Sequence, residues 1–226
     1  MFADREEAGK ALAERLQALG LQDPVVLALP RGGVPVAAEV ARQLSAPLDV
    51  ILVRKIGAPG APELAAGAIM SGPAGEEIVF NESVMHAYGL HPAEMKGLLD
   101  EKRAEIAERR KAYLGDSPPV AVAGRSAIVV DDGIATGATM RAALQGLRHQ
   151  NPARIVLAVP VAPPDILPVL RPLVDELICL SAPRDFQAVG FHYRNFSQVS
   201  DAAVVAILRQ ARMSATNLDE QKEQEP

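Results

Sequence analysis

The sequence feature that most constrains the fold is the stretch AIVVDDGIATGAT, residues 127–139. Its apolar residues 128–130 have the length and residue types of a buried β-strand, and two aspartates follow them directly. A loop of small residues comes next and leads into MRAALQGLRHQ, which has the Ala and Leu content of a helix. A strand, a tight loop and a helix start in this order form an anion cradle, because the free N–H groups of the first helical turn point into the loop.

Five residues of this loop are predicted to bind a phosphate group: Ala135, Thr136, Gly137, Ala138 and Thr139. Gly137 lets the backbone approach a phosphate closely, and the two threonine hydroxyls add hydrogen-bond donors. The carboxylates of Asp131 and Asp132 would repel a phosphate, so we expect them to face hydroxyl groups or a metal ion. A ribose 5-phosphate carries hydroxyls at one end and a phosphate at the other. A structural interpretation of the acidic pair stays open, because Asp and Gly commonly form the turn that ends a strand.

With both carboxylates and the TGAT loop in place, residues 127–139 resemble the signature of the type I phosphoribosyltransferases. The resemblance implies that the loop binds the 5-phosphate of phosphoribosyl pyrophosphate (PRPP). It also implies that Asp131 and Asp132 hold the ribose hydroxyls, directly or through Mg²⁺, and favour positive charge on the ring. Mg²⁺ is therefore the expected cofactor, and PRPP and a small-molecule acceptor are the expected partners.

Apolar strand-like runs alternate with helical patterns along the chain. This alternation predicts an α/β fold with a doubly wound, mostly parallel sheet flanked by helices, and a small hood or insertion. The runs read VVLAL, LDVILV, AIVV, RIVLAVPVA and ELICL. We expect one phosphoribosyltransferase-like domain over residues 1–213, an insertion over about 71–118, an aromatic hood over about 181–200, and a disordered polar tail over 214–226.

A second anion site is predicted after the first strand, where the sequence reads PRGG. Ligands of open parallel sheets gather at the carboxyl ends of the strands, so Arg31, Gly32 and Gly33 are placed to bind an anion there. The resemblance implies that this loop binds the pyrophosphate of PRPP. An ordinary Gly-Gly turn is the alternative interpretation.

A mobile lid is predicted after the strand LDVILV, which ends in Arg54 and Lys55. The glycines and prolines that follow predict irregular structure until about Glu63, and two apolar runs over 65–80 then predict a hairpin. The resemblance implies a flexible loop that closes over PRPP, with Arg54 and Lys55 offsetting charge on the departing pyrophosphate. Ordinary surface cations are the alternative, and for Glu63 the sequence does not choose between acting on the acceptor and anchoring the lid.

Half of the aromatic residues fall in one loop-like segment after the last predicted strand: Phe186, Phe191, Tyr193 and Phe196. Aromatic faces near a sugar-phosphate site can stack on a planar base, which makes Phe191 and Tyr193 candidate acceptor-binding residues. The same residues would also serve as the small core of a cap over the sheet. Both interpretations remain open on the sequence.

The composition narrows the function classes. A net charge of −5 argues against a broad nucleic-acid surface, and no apolar run reaches the 18 residues of a membrane span, so a cytoplasmic protein is expected.

The leading hypothesis is a glycosyltransferase activity, the Mg²⁺-dependent transfer of ribose 5-phosphate from PRPP to a nucleobase-like acceptor with release of pyrophosphate. The alternatives are a regulator that senses PRPP or a nucleotide without transfer, and a hydrolase of phosphorylated sugars. The sequence fixes neither the acceptor nor the oligomeric state, for which a homodimer is the commonest option.

Overall fold

The computed structural model describes residues 1–73 and 75–222, without the side chains of residues 62 and 215–222. The strands are β1 Pro24–Ala28, β2 Leu48–Val50, β3 Leu52–Ala58, β4 Ala61–Gly72, β5 Gly75–Phe80, β6 Ser126–Val130, β7 Arg154–Val161 and β8 Glu176–Ser181. The α-helices are α1 Arg5–Gln17, α2 Gly33–Leu44, α3 Glu82–Ala87, α4 Lys96–Leu114, α5 Ala138–Arg148, α6 Leu167–Leu170 and α7 Asp201–Lys222. Short 3₁₀ turns cover Pro92–Met95, Arg171–Leu173 and Val189–His192.

Five parallel strands form the main sheet in the order β2-β1-β6-β7-β8. Strand β2 lies on one side of β1 and β6 lies on the other, so the strand order reverses at β1. Ligands of open α/β sheets bind where the strand order reverses. Strands β1 and β6 are neighbours whose last residues, Ala28 and Val130, lie in register. The PRGG loop and the aspartate pair therefore emerge side by side. The predicted α/β fold with a mostly parallel sheet flanked by helices is confirmed.

Helices cover both faces of this sheet, because alternate residues of each strand point to opposite sides. Val26 and Ala28 of β1 belong to a buried cluster that includes residues of α1, α2 and α7. Val25 and Leu27 belong to a second cluster with residues of α5. Burying one such aliphatic side chain contributes roughly 1.5–3 kcal/mol, so the two apolar layers hold the site loops on a rigid base.

A separate antiparallel sheet, β3-β4-β5, corrects the prediction for this region. The run LDVILV is not one strand: β2 ends at Val50 and β3 begins at Leu52. The irregular structure predicted until about Glu63 is also wrong, because β3 and β4 form a hairpin that turns at Gly60, whose φ is +75°; closure of this segment over a substrate stays a prediction. Register shifts around Gly57 absorb the irregularity that the glycines were expected to cause, as bulges do. The predicted hairpin over 65–80 is confirmed as β4 and β5.

The insertion and the chain end also differ from the prediction. The departure from the main sheet begins at Leu52 rather than near residue 71. Helix α7 continues to Lys222, so residues 214–222 are helical, whereas a disordered tail is predicted from residue 214. The last residues of that predicted tail, 223–226, lie outside the described part of the chain. Ala, Leu, Glu, Gln and Lys in this segment are strong helix formers, which explains the extension. Across the described residues, no helix combines the length and apolarity needed to cross a membrane.

One buried carboxylate ties the insertion back to the main sheet. Asp49 in β2 is fully buried and accepts hydrogen bonds from the backbone N–H groups of Val50 at 2.8 Å and Val120 at 2.9 Å. The guanidinium of Arg110 on α4 lies 3.6 Å from the same carboxylate. This cluster fixes the connector between α4 and β6 against the edge of the sheet.

We expect Asp49→Ala to lower the free energy of unfolding by about 3 kcal/mol, because Arg110 would be left without its buried counter-charge. Urea denaturation followed by circular dichroism measures the change. The double variant Asp49→Ala with Arg110→Met should recover part of the loss, since it removes the uncompensated charge but leaves the N–H groups of Val50 and Val120 without their acceptor. A double variant as unstable as the single one would contradict this role for Arg110.

Candidate active site at the carboxyl ends of the parallel strands

The anion cradle forms as the sequence predicts. Helix α5 begins after Gly137, whose φ is +73° and which provides no side-chain cap. Among the described residues, the backbone N–H groups from Ala135 to Met140 have no protein acceptor. Thr136 and Thr139 are exposed beside them. The free amides, the hydroxyls and the helix dipole together favour an anion at this position.

The two aspartates occupy different surroundings at the end of β6. Asp131 Oδ1 accepts a hydrogen bond from the backbone N–H of Asp132 at 2.8 Å. Asp132 Oδ2 accepts one from Arg5 Nε, also at 2.8 Å. Burial, reinforced by the neighbouring charge of Asp132, raises the pKa of Asp131 well above its ordinary value. Burial also raises the pKa of Asp132, although Arg5 opposes this shift.

The PRGG loop is in direct contact with the aspartate pair. A Cβ at Gly32 would lie 2.0 Å from Asp132 Oδ2, and a Cβ at Gly33 would lie 2.9 Å from the Cα of Asp131. Both distances are shorter than any side chain tolerates, so glycine is required at both positions. In the described part of the chain, the N–H groups of Arg31 and Gly32 have no acceptor. The structure thus places the PRGG loop directly against the aspartate pair.

Arg5 is a site residue that the sequence analysis missed. Besides its bond to Asp132, its Nη1 donates to the carbonyl of Ser197 at 2.9 Å, and its guanidinium carbon lies 4.0 Å from the centre of the Phe196 ring. The sequence placed Arg5 only at the start of a helix, and it lies 127 positions from Asp132. No spacing rule connects residues so far apart, so only the folded chain reveals this contact.

The N-terminal segment and the aromatic hood are joined by backbone hydrogen bonds. Phe2 N–H donates to the carbonyl of His192 at 2.8 Å, and the N–H of Arg194 donates to the carbonyl of Phe2 at 2.9 Å. Tyr193 OH donates to the carbonyl of Asp132 at 2.6 Å. The hood is therefore anchored both to the N-terminus and to the aspartate loop.

The two aromatic candidates have different environments. Tyr193 is only 5% exposed and its ring packs between those of Phe2 and Phe196, so it is not available to stack on a base. Its assignment as a stacking residue is corrected to a residue of the hood core, which also positions the Asp132 backbone. Phe191 is 66% exposed and remains a candidate for contact with an acceptor.

Arg54 and Lys55 lie on opposite faces of β3, because neighbouring residues of a strand point to opposite sides. Lys55 lines a cavity of about 320 Å³ between α5 and the second sheet, together with Thr136 and Thr139. Its ammonium donates to the carbonyl of Glu63 at 3.2 Å, which favours an anchoring role for that residue. Arg54 lies on the other face, where its Nε is 3.3 Å from Glu105 of α4.

Arg141 is a second residue that the sequence analysis did not single out. It lies in the first turns of α5, lines the same cavity as Lys55, and is exposed. Within the described chain, its guanidinium forms no hydrogen bond or ion pair. Arg141 lies four residues after Gly137, and residues four apart on a helix lie on the same side. This spacing therefore predicts that the cation of Arg141 faces the same side as the loop.

The donor set fits a metal ion that is shared with a substrate. No group of three or more His, Cys, Asp or Glu side chains converges within the described residues. Asp131 and Asp132 are adjacent carboxyl groups at the end of β6, and each interacts electrostatically with the other. Mg²⁺ is commonly held by one or two carboxylates plus substrate phosphates and water, so this pair is sufficient for such an ion.

Comparisons with known proteins agree on one family. Residues 4–195 match the family model described as "Phosphoribosyl transferase domain". Two proteins of Mycobacterium tuberculosis strains, each named "Putative phosphoribosyl transferase", are 46% identical over 213 residues, covering 93% of this chain and 47% of each relative. The chain thus spans about half the length of these curated relatives. The crystal structure of TT1426 from Thermus thermophilus is 45% identical with a TM-score of 0.81, covering 92% of this chain and 98% of that one.

We expect Arg5→Gln to raise the pKa of Asp132 further, because the guanidinium that favours the ionised carboxylate is lost. An NMR titration of the aspartate carboxyl carbons measures this shift, with Arg15→Gln on the exposed side of α1 as control. A carboxyl with a raised pKa destabilises the folded state once it ionises. The variant should therefore lose stability relative to the parent as pH rises through this pKa, and regain it below. An unchanged pKa would contradict the electrostatic role of Arg5.

Proposed function

Because the chain belongs to the phosphoribosyl transferase domain family, we propose that it transfers ribose 5-phosphate from PRPP to a nucleobase-like acceptor and releases pyrophosphate. The observation that carries this proposal is the row of free amides at residues 135–140, next to Asp131 and Asp132. PRPP joins a monoester phosphate to a pentose, which suits an anion site that follows a carboxylate pair in the same loop. PRPP use, the acceptor class and the Mg²⁺ requirement are parts of the proposal.

In this mechanism, binding and electrostatics supply most of the catalysis. The 135–139 loop fixes the 5-phosphate, and the carboxylates of Asp131 and Asp132 bind the ribose hydroxyls. As the bond between the anomeric carbon and the pyrophosphate oxygen breaks, the oxygen keeps the electron pair and the ring gains positive charge. Preorganised carboxylates next to the ring favour this charge in the transition state.

The leaving group falls on the PRGG side of the cleft. The N–H groups of Arg31 and Gly32, which have no acceptor among the described residues, would donate to the pyrophosphate there, and no acidic residue lies in the first turn of α2. Mg²⁺ held by the aspartate pair and substrate oxygens would neutralise part of the pyrophosphate charge. The raised pKa of Asp131 fits such a site, since a bound cation restores the ionised carboxylate.

The acceptor is expected under the hood, on the side of the ribose opposite the pyrophosphate. Phe191 of the hood has an exposed ring that we expect to contact the acceptor, while Tyr193 and Arg5 hold the hood against the aspartate loop. An aromatic face favours a planar ring system, which is why a nucleobase-like acceptor is proposed. The cytoplasmic location expected from the sequence stays a prediction.

We expect Asp131→Asn and Asp132→Asn each to lower the turnover of PRPP at least about 10²-fold, because a neutral amide does not stabilise positive charge on the ring. The assay mixes the protein with PRPP, Mg²⁺ and a panel of nucleobases and measures pyrophosphate release. Asp116→Asn is the matched control, since Asp116 is exposed in the connector after α4 and should leave the rate unchanged.

The same assay separates the alternatives. PRPP binding by calorimetry without turnover on any acceptor would favour a regulator that senses PRPP. Ribose 5-phosphate formed without an acceptor would favour a hydrolase. Failure to bind PRPP at all would remove the proposed function, and equal rates for the parent and both aspartate variants would contradict the assignment of the pair.

A further inference from the structure

The cavity beside α5 extends beyond the anion cradle. Its volume of about 320 Å³ is within the range of small-molecule sites. Its lining includes Thr136 and Thr139 of the cradle as well as Val79 and Phe80 of β5. A phosphate group fills only part of such a space, so the cavity has room for a further group attached to the phosphate.

Small side chains on both walls create this space. Lys55 of β3 and Ala68 of β4 are cross-strand partners on one face of the second sheet, and Ala142 of α5 lines the same cavity. Two residues further along β4, on the same face, Met70 packs so closely on α5 that a Cβ at Gly146 would lie 2.5 Å from Met70 Cε. The contact is therefore closed at Met70 and open at Ala68.

The open end of this contact is positively charged. Lys55 and Arg141 are the charged side chains of the cavity, and its described lining residues include no Asp or Glu. The ammonium of Lys55 lies 3.8 Å from the carboxylate of Glu63, which is fully exposed, so this ion pair is weak. The amides and hydroxyls of the cradle are sufficient for one phosphate group, and the two cations are available to a second.

The cavity between β3, α4 and the start of α7 has a different charge balance. Its lining includes three carboxylates, those of Glu105, Glu108 and Asp201. Asp201 Oδ1 lies 3.6 Å from Arg109 and 4.0 Å from Arg31, so the protein supplies the anions for these arginines itself. The described lining of the cavity beside α5 contains no such acids, and a ligand has to provide the negative charge there.

The remaining lining suits a planar group with a polar edge. Apolar side chains come from β5 and from the segment around α6: Val79, Phe80, Ile166 and Val169. Val169 is 46% exposed, so a ligand in the cavity would bury additional apolar surface. Asn81 and Gln145 also line the cavity, and their amide groups both donate and accept hydrogen bonds, as the edge of a nucleobase requires.

We propose that the site accepts a ribose whose 5-phosphate carries a second phosphate and a nucleoside, as in a dinucleotide. The first phosphate lies on the amides at the start of α5, the second lies between Lys55 and Arg141, and the base lies against Phe80. This inference rests on the proposed function only in placing the first ribose at the aspartate pair. PRPP has no group beyond its 5-phosphate and leaves the cavity unfilled.

Calorimetric titration with ADP-ribose and with ribose 5-phosphate tests this inference, because both ligands contain the same ribose 5-phosphate end. We expect ADP-ribose to bind at least about 10-fold more tightly, since charged hydrogen bonds to the second phosphate are added. Ala68→Leu should remove this advantage by filling the cavity and leave the affinity for ribose 5-phosphate unchanged. Ala206→Leu, at an exposed position of α7, is the matched control and should keep the advantage.

A second variant keeps the test independent of how well the sheet tolerates a larger side chain. Arg141→Gln should weaken the binding of ADP-ribose about 10-fold and that of ribose 5-phosphate much less, because the second phosphate loses its guanidinium partner. Arg209→Gln, at an exposed position of α7, is the charge-matched control and should bind both ligands like the parent. A general loss of structure would weaken the binding of both ligands equally, so the ratio of the two affinities isolates the cavity.

Equal affinities of the parent for the two ligands, or an advantage that both Ala68→Leu and Arg141→Gln keep, would overturn the inference. An advantage that is lost in Phe191→Ala instead would also overturn it, because the adenine would then lie under the hood.

The inference and the proposed function fail separately. Pyrophosphate release from PRPP without any advantage of ADP-ribose removes the cavity site and leaves the proposed transfer standing. Binding of ADP-ribose that depends on Ala68 and Arg141, without transfer from PRPP to any acceptor, supports the cavity site and removes the transfer.

Discussion

The close contact between Gly32 and Asp132 is the constraint on which the site depends. It follows from the parallel pairing of β1 with β6, whose last residues lie in register, so that the loops after them meet. A Cβ at Gly32 would lie 2.0 Å from Asp132 Oδ2, and this is the same oxygen that accepts the hydrogen bond from Arg5. The sheet therefore brings two loops that are predicted to bind anions next to each other, and the glycines make the approach sterically allowed.

Charged side chains near this contact are paired with opposite charges that the protein itself provides. Arg5 neutralises Asp132 on the hood side, and Asp201 lies among the arginines on the opposite side. Buried or crowded charges are costly when unpaired, so these internal partners stabilise the folded arrangement of the site loops. Both partners come from the ends of the described chain, the start of α1 and the start of α7, which lie outside the main sheet.

The sequence predicts the parts of the site whose residues are close together in the chain. It does not predict the contacts between residues that are far apart in the chain. Residues 127–139 specify a strand, a carboxylate pair and a helix start within one short stretch, and each element forms as expected. The sequence does not predict the contacts of Arg5 and Asp201, because their partners lie far away in the chain and no periodic pattern indicates such contacts. The hairpin β3-β4 was mistaken for an irregular lid, because a bulge at Gly57 and a turn at Gly60 accommodate the glycines that usually interrupt strands. The sequence predicts that Tyr193 lies near the site. It does not show that the ring is buried or that the hydroxyl donates to the carbonyl of Asp132.

The central claim is that the amides at the start of α5 hold a phosphate monoester while the aspartate pair holds the sugar. The most direct measurement is an NMR titration of the amide signals with ribose 5-phosphate. The account predicts that the largest shift changes occur at the amides of Ala135 to Met140, accompanied by changes in the carboxyl carbons of Asp131 and Asp132. Saturable binding with shift changes elsewhere and none at these amides would contradict it.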